Sequence, residues 1–270
     1  MSNRRSVDDK ILVQDNLKMM HSKALSRKTA IIIGASSGIG YATALALAGE
    51  GANIVVGARR IDRLENLVQK IESMNGAALA IRTNVRELSD VENLVVGAKK
   101  KFGGVDIFVN SAGIMPLSLM RKMRVVEWLN TIDINFKGAV HGLAAILPTF
   151  LEQKYGHLVF VSSIASRKVF PGSALYSASA AALRTLAEGL RLELSPYDQI
   201  KVTLVETGYV QTEIFDTIED EEMKRSVRTQ LDNLSILKPE EVASAILYAL
   251  LQPPHADINE IVIKPTAEPV

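Results

Sequence analysis

The sequence predicts an α/β protein built on a single doubly wound parallel sheet of about seven strands, with helices on both faces. Three observations point there. Short β-branched or apolar runs alternate with longer helical patterns from Lys28 onward, the order that builds parallel sheets through crossover helices. Several runs are apolar without a polar alternate, as strands buried on both faces must be. At 270 residues the chain suits one large domain, since the prior of roughly 150 residues per domain is loose for α/β folds.

Taken in order, Thr29 to Ile33 is a β-branched run too short for a helix, ending at the turn Gly34-Ala35-Ser36-Ser37-Gly38-Ile39-Gly40. Gly38 to Glu50, rich in alanine and leucine, reads as a helix terminated at Gly51. Asn53 to Val56 is the second strand, a charged helix follows from about Asp62 to Met74, and Ala78 to Thr83 is the third strand. Ser89 to Phe102 is a helix closed by Gly103-Gly104, and Val105 to Val109 is a buried strand before Asn110. A long helical region from about Met123 to Lys154 leads to a strand at His157 to Val161. A helix from about Ser173 to Leu194, a strand at Lys201 to Val205, a helix from Pro239 to Leu251 and a strand at Ile258 to Ile263 complete the series. The stretch Tyr209 to Asn233 carries Asp216, Glu219 to Glu222, Lys224, Arg225 and Arg228, and reads as a mobile, solvated cover.

Composition excludes several functions. Hydrophobic residues at 47% and charged residues at 23% are ordinary for a soluble globular chain. A formal net charge of +1 offers no footprint for nucleic acid or an anionic membrane. No run reaches the roughly 18 apolar residues of a membrane span. The absence of cysteine removes disulfides and thiol catalysis and fits a cytoplasmic setting. His21, His141, His157 and His255 show no ligand spacing, so no metal site is expected. Residues 1–27 read as an N-terminal extension ahead of a domain at 28–270. Asp8, Asp9 and Asp15 make it too acidic for a typical transit peptide, and it lacks a secretory core. Ile11, Leu12, Val13, Leu17 and Met20 allow a short amphipathic helix, either docked on the surface or meeting a partner.

The glycine turn carries the first chemical signal. Glycines allow a tight turn and close backbone approach, and the helix that follows offers unpaired N–H groups and a favourable dipole to a pyrophosphate. Glycine turns also join elements that bind nothing, but Gly34-x-x-x-Gly38-x-Gly40 directly follows a first strand. Dinucleotide choice falls at the end of the second strand, where an acid accepts from the ribose 2′-OH of NAD and basic groups suit the 2′-phosphate of NADP. Here the strand ends Gly57-Ala58-Arg59-Arg60 without a carboxylate. Arg59 offers a planar fork of donors, and a helix start is otherwise a poor place for cations. NADP(H) is the expected cofactor.

Further along, Tyr176-Ser177-Ala178-Ser179-Ala180-Ala181-Ala182 begins thirteen residues after Ser163, Asn110-Ser111-Ala112-Gly113 follows the fourth strand, and Asn135 lies in Ile132-Asp133-Ile134-Asn135-Phe136-Lys137-Gly138. With the glycine turn, in this order across about residues 28 to 265, these segments resemble the short-chain dehydrogenase/reductase family and its Rossmann-type fold. The resemblance implies cofactor contacts from Gly34, Ser36, Ser37, Gly38, Ile39, Gly40, Arg59, Arg60, Asn84, Val85, Asn110, Ala112, Gly113, Tyr176, Gly208, Val210 and Thr212. It implies Tyr176 as proton donor, Ser163 as partner of the substrate oxygen, and Asn135 as the residue that kinks the long helix and holds a relay water. Substrate-facing positions are Ser163, Met115, Arg167 and Tyr209, in loops around Met115 to Leu119, Ser166 to Ser173 and Tyr209 to Asn233. Arg167 and Lys168 would meet an acidic substrate, or are simply solvated. Asn84-Val85 replaces the family's Asp-Val and keeps an acceptor oxygen. Ile33 and Thr207-Gly208, where the family has threonine and Pro-Gly, are milder departures.

The decisive departure is Ala180, where the signature Tyr-x-x-x-Lys places a lysine. In the family that ammonium lowers the tyrosine pKa from a reference of about 10 and hydrogen-bonds the nicotinamide ribose; alanine does neither. Lys137, Lys154 and Lys168 are not on the helical turn after Tyr176. Retention of Asn135, Ser163 and Tyr176 favours a substitution introduced into a working enzyme over natural decay. The expected function is NADP(H)-dependent hydride transfer between a small carbonyl compound and its alcohol, impaired at Ala180. A non-catalytic dinucleotide-binding protein and a non-redox dehydratase or epimerase are the alternatives. The ending Asn259-Glu260-Ile261-Val262-Ile263-Lys264-Pro265-Thr266 resembles clavulanate dehydrogenase-like and hydroxy-acid dehydrogenase-like members, which act on small aldehydes, ketones or 3-hydroxy acids, some in biosynthesis. The helices at 133–154 and 173–194, with small residues near Ala178 to Ala187, are where the family builds dimers and tetramers, so a homodimer or homotetramer is expected.

Overall fold

Thr29–Ile33 forms β1, buried along its whole length in the computed structural model, which describes residues 23–232 and 234–268. The amphipathic pattern at 11–20 lies outside the described residues. Burial along a whole strand requires cover on both faces. β2 (Asn53–Ala58), β3 (Ala77–Arg82), β4 (Ile107–Asn110), β5 (Gly156–Ser163), β6 (Ile200–Thr207) and β7 (Glu260–Ile263) complete one seven-stranded sheet in the order β3-β2-β1-β4-β5-β6-β7. All neighbours are parallel, with Ala30 registered between Ile54 and Ile107. The chain steps outward from β1 to β3, then returns to lay β4 on the other side of β1. That reversal leaves a crevice at the C-terminal ends of β1 and β4, where ligands bind in such sheets.

The helices are α1 (Gly38–Gly49), α2 (Ile61–Ser73), α3 (Leu88–Phe102), α4 (Val125–Thr131), α5 (Gly138–Gln153), α6 (Ala174–Asp198), α7 (Glu221–Leu231) and α8 (Pro239–Leu250). Alternation along β1 assigns them to layers. Ala30 and Ile32 pack with Leu47, Leu64, Leu67 and Ile246 from α1, α2 and α8. Ile31 and Ile33 pack with Leu94, Ile146, Phe150 and Leu183 from α3, α5 and α6. α3 ends at Gly103 in the left-handed conformation, φ 86°, the usual glycine terminator.

The long helical region runs unbroken from α4 through a π-helical turn at Ile132–Lys137 into α5. Although Glu127, Asp133 and Lys137 interrupt it, this run is long and apolar enough by length and composition to cross a bilayer, unlike the sequence expectation. Its inner side buries Ile146 and Phe150 against the sheet, so part of that apolarity fills the core.

The stretch from Tyr209 differs more. Rather than a solvated cover, it holds a 3₁₀ turn at Glu213–Thr217 and α7. Asp220 caps α7, accepting from the backbone N–H groups of Glu222 at 3.1 Å and Met223 at 3.2 Å. Met223, Val227 and Leu231 form an apolar stripe at i, i+4 and i+8 that packs with Met115 and Leu117. Lys122 donates to both Asp220 and Glu222 at 2.9 Å, and Arg124 pairs with Glu219 at 3.1 Å. These bonds clasp the segment to the loop after β4.

Phe150 tests the second layer. It is fully buried, and a Cβ built at Gly156 would stand 2.3 Å from its ring. Phe150→Ala should lower stability by about 3–5 kcal/mol in urea titration. A loss below about 1 kcal/mol would contradict a rigid core here.

Candidate active site

The crevice between β1 and β4 opens into a cleft of about 570 Å³, within the range of roughly 300–1,000 Å³ for small-molecule sites. Its floor is the turn between β1 and α1. Gly34 has φ 83°, and a Cβ there would lie 2.7 Å from the backbone of Ser111 and Ala112. A Cβ on Gly40 would meet the carbonyl oxygen of Gly34 at 2.5 Å. Backbone therefore packs on backbone, and Ser36, Ser37, Gly38 and Ile39 line the cleft at the start of α1. No side chain caps that helix, so its first-turn N–H groups suit a pyrophosphate. Asn84, Val85, Ala112, Gly113 and Thr212 also line the cleft.

Four expected cofactor residues stand behind the wall instead. Gly40 packs on Gly34. Asn110 is buried, with both amide atoms unpartnered among the described residues. Gly208 is backed by the Glu268 carboxylate, and Val210 is buried and bridged to Leu237.

At the β2 end, Arg60 donates from Nη2 to Ser36 Oγ at 2.7 Å and Ser37 Oγ at 2.9 Å, and from Nη1 to Glu213 Oε2 at 2.7 Å. Arg63 donates to the other oxygen, Glu213 Oε1. Arg63 and Arg60 together hold the Glu213 carboxyl down to about 2. Arg59, the fork expected from the sequence, lines the cleft and is exposed. Arg63 and Glu213 were not anticipated. The signal for Arg63 was its place in the first turn of α2, three residues after Arg60 at the helix N-cap.

At the β5 end, Ser163 closes the strand and its Oγ accepts from Ala165 N at 3.1 Å. Tyr176, brought over by α6, lines the cleft together with Ser163. Burial pushes the Tyr176 phenol up, and the neighbouring Ser163 hydroxyl only partly opposes this. Ala180 lines the same wall one turn later, 4% exposed, with its carbonyl accepting from Ser162 Oγ at 3.4 Å. The arginines lining the cleft belong to the β2 side, three strands away, or roughly 14 Å at the usual strand spacing. Lys137, Lys154 and Lys168 do not line the cleft, and Lys154 pairs with Asp198 at 2.5 Å.

Asn135 sits within the π turn, a feature that often accompanies functional sites. Its Oδ1 accepts from Ile114 N at 2.9 Å, and its Nδ2 donates to Ile114 O at 2.9 Å and to Ser179 Oγ at 3.2 Å. Ser179 in turn donates to the Tyr176 carbonyl at 2.7 Å. Asn135 thus ties the loop after β4 to α6. With both N–H groups engaged, its side chain has one acceptor direction left for water. Ser179 escaped notice because a serine in an Ala/Ser-rich helix carries no signal.

The expected substrate residues divide. Ser163 lines the cleft, whereas Met115, Arg167 and Tyr209 do not. Met115 is buried with Leu117 in the apolar cluster that also packs Tyr176, Phe170, Ile214 and Phe215. Arg167 is turned away to Glu206 and Glu260. Glu206 is fully buried, and a buried carboxylate needs such a partner. The Tyr209 hydroxyl donates to Gln230 at 2.9 Å, and its ring leans on Phe215 with centroids 6.1 Å apart.

Fold and cleft together define a doubly wound α/β protein with a cleft at its switch point. The chain belongs to the short chain dehydrogenase family, whose sequence model matches residues 28–223. It is 40% identical over 246 residues to the uncharacterized oxidoreductase Lmo0432 of Listeria monocytogenes, covering 91% of this chain and 99% of that protein. It is also 40% identical over 257 residues to glycine betaine reductase ATRR of Emericella nidulans, covering 95% of this chain but 20% of that protein. The fold matches the closed form of serine dehydrogenase complexed with NADP+ at a TM-score of 0.83 and 26% identity, covering 90% of this chain and 96% of that one.

The clasp on α7 is testable. Asp220→Ala removes the cap, worth about 0.5–2 kcal/mol, and one of the two carboxylates that Lys122 bonds. Hydrogen exchange should quicken across 212–231 and stay unchanged in β1 and β4. The Asp220 carboxyl is held below its ordinary value, first by Lys122. Its contribution is therefore complete above the unfolded value of about 3.9 and lost as pH falls through the lower folded value. After correction for intrinsic rates, protection in the parent segment should weaken below about pH 4, and the Asp220→Ala chain should lack that step.

Proposed function

We propose that this chain is an NADP(H)-dependent oxidoreductase that interconverts a small carbonyl compound and its alcohol, with proton transfer impaired by Ala180. One observation carries the reading: a hydroxyl pair, Tyr176 with Ser163, and an anion-binding cluster, Arg60 and Arg63 with Ser36, share one cleft. The oxidoreductase relatives and the NADP+-bound structural neighbour support it. The dinucleotide, when bound, supplies or accepts the hydride. The N–H groups at the start of α1 would hold its pyrophosphate, and Arg60 and Arg63 would hold the 2′-phosphate.

Ser163 orients the substrate oxygen and Tyr176 donates a proton to it. Asn135 and Ser179 fix the wall that carries Tyr176. Ala180 gives the phenol no compensating charge, so the proton is held tightly and the phenolate needed for alcohol oxidation is scarce near neutrality. The sequence relative glycine betaine reductase and the structural neighbour serine dehydrogenase support a small organic substrate. The apolar cluster around Tyr176, with Arg167 withdrawn from it, argues against a pocket built for an acidic one. Exposed Val126 and Leu129 on α4, and Leu192 and Tyr197 on α6, support a homodimer or homotetramer. A dinucleotide-binding protein without catalysis is the second reading, favoured by the absence of a cation beside Tyr176 in the lining.

Comparison of this chain with Ala180→Lys separates the two. NADPH oxidation across small carbonyls should rise about 10²- to 10⁴-fold in the lysine form. Comparable turnover by the alanine form would sink the impairment, and NADPH binding without turnover in either form would favour the second reading. Because burial raises the Tyr176 phenol, alcohol oxidation by the parent should still be climbing at about pH 10, the ordinary tyrosine value. In Ala180→Lys the limb should level off at lower pH.

A further inference from the structure

We propose that Glu213 is a built-in anion gate on cofactor choice, its carboxylate holding the phosphate-recognising cluster until a 2′-phosphorylated dinucleotide displaces it. The inference rests on the NADP(H) reading above and names a residue that sets its strength.

Three separate parts of the chain meet at this point. Ser36 and Ser37 come from the turn after β1, Arg60 and Arg63 from the start of α2, and Glu213 from the turn after β6. The Glu213 carboxylate is shared, Oε2 with Arg60 and Oε1 with Arg63. Arg60 spends its other donors on Ser36 and Ser37. Two guanidiniums and two hydroxyls form a receptor for a doubly charged oxyanion with three acceptor oxygens. A carboxylate brings one charge and two oxygens, so it fills the receptor only in part.

Exposure decides that the occupant can leave. The Arg60, Arg63 and Glu213 side chains are 42%, 43% and 44% exposed, and ion pairs this open are weak. A phosphate dianion therefore competes well for the same donors. A ribose carrying only a 2′-hydroxyl has no charge with which to compete, and Glu213 stays in place beside it. Glu213 thus opposes the binding of NADP(H) and leaves NAD(H) largely unaffected. The same turn carries Ile214 in the Tyr176 cluster and Thr217, whose Oγ1 accepts from Met115 N at 2.8 Å. Release of Glu213 loosens the tether of the turn that borders the Tyr176 pocket.

The test is calorimetric titration of the full chain and its Glu213→Gln variant with NADP+ and with NAD+, after thermal melts confirm that both fold. Loss of two exposed pairs should tighten NADP+ about two- to tenfold and shift NAD+ by less than about twofold. The gain should shrink in an Arg63→Gln background, which has already lost one of the pairs. A looser turn alone would alter both dinucleotides equally, and that result overturns the gate. So does unchanged or weaker NADP+ binding. If the parent prefers NAD+, the NADP(H) reading fails on its own. The gate then stands only where Glu213→Gln still moves the ratio of affinities toward NADP+.

Discussion

Where the turn after β1 passes the loop after β4, backbone lies against backbone, because a Cβ at Gly34 would stand 2.7 Å from Ser111 and Ala112. Much of the site depends on that close approach. It sets the depth of the crevice at the switch point and leaves the uncapped start of α1 facing the cleft. It also fixes the loop whose next residues, Gly113 and Ile114, reach the π turn. Asn135 then passes this constraint to α6, by way of Ile114 and Ser179, to the helix that carries Tyr176. A glycine with no chemistry of its own thus governs the distance between the two ends of the site.

The two ends differ in charge for structural reasons. Near β2 the wall is made by a helix start and a polar turn, both open to solvent, where cations and a carboxylate are solvated and exchangeable. Near β5 the wall is made by a strand end, an Ala/Ser-rich helix face and Ile214, whose apolar cluster also packs Phe170 and Met223. Charge there would be desolvated and needs a dedicated partner. Arg167 shows the same rule, since this cation, next to Ser166 in sequence, is drawn off by buried Glu206.

These differences explain what the sequence disclosed. Strands buried on both faces leave unbroken runs such as Thr29–Ile33, so the order of elements was legible. Element ends were less so, because the β5–β6 ladder continues past the apolar run to Ser163 against Thr207. The cover was misread because the charges around α7 outnumber the three apolar residues that anchor it. Ser163, Tyr176 and Asn135 were legible through motif spacing, and all three line the cleft. Arg63 with Glu213, and Arg167 with Glu206 and Glu260, were not. Their partners lie on other elements, and only the strand order brings them together.

That strand order also shows why Ala180 matters despite three arginines in the same cleft. At roughly 14 Å, the width of three strand spacings, a unit charge acts on another with about 1.2 kcal/mol at an effective dielectric of ~20. This is less than one pKa unit, about 1.36 kcal/mol. Glu213 cancels part of even that field while it pairs with Arg60 and Arg63. Even the summed charge is screened by solvent and salt across the open cleft, and burial, opposed only by Ser163, sets the direction of the Tyr176 phenol. Only a charge on the same helical turn is near enough, and there the wall offers a methyl group.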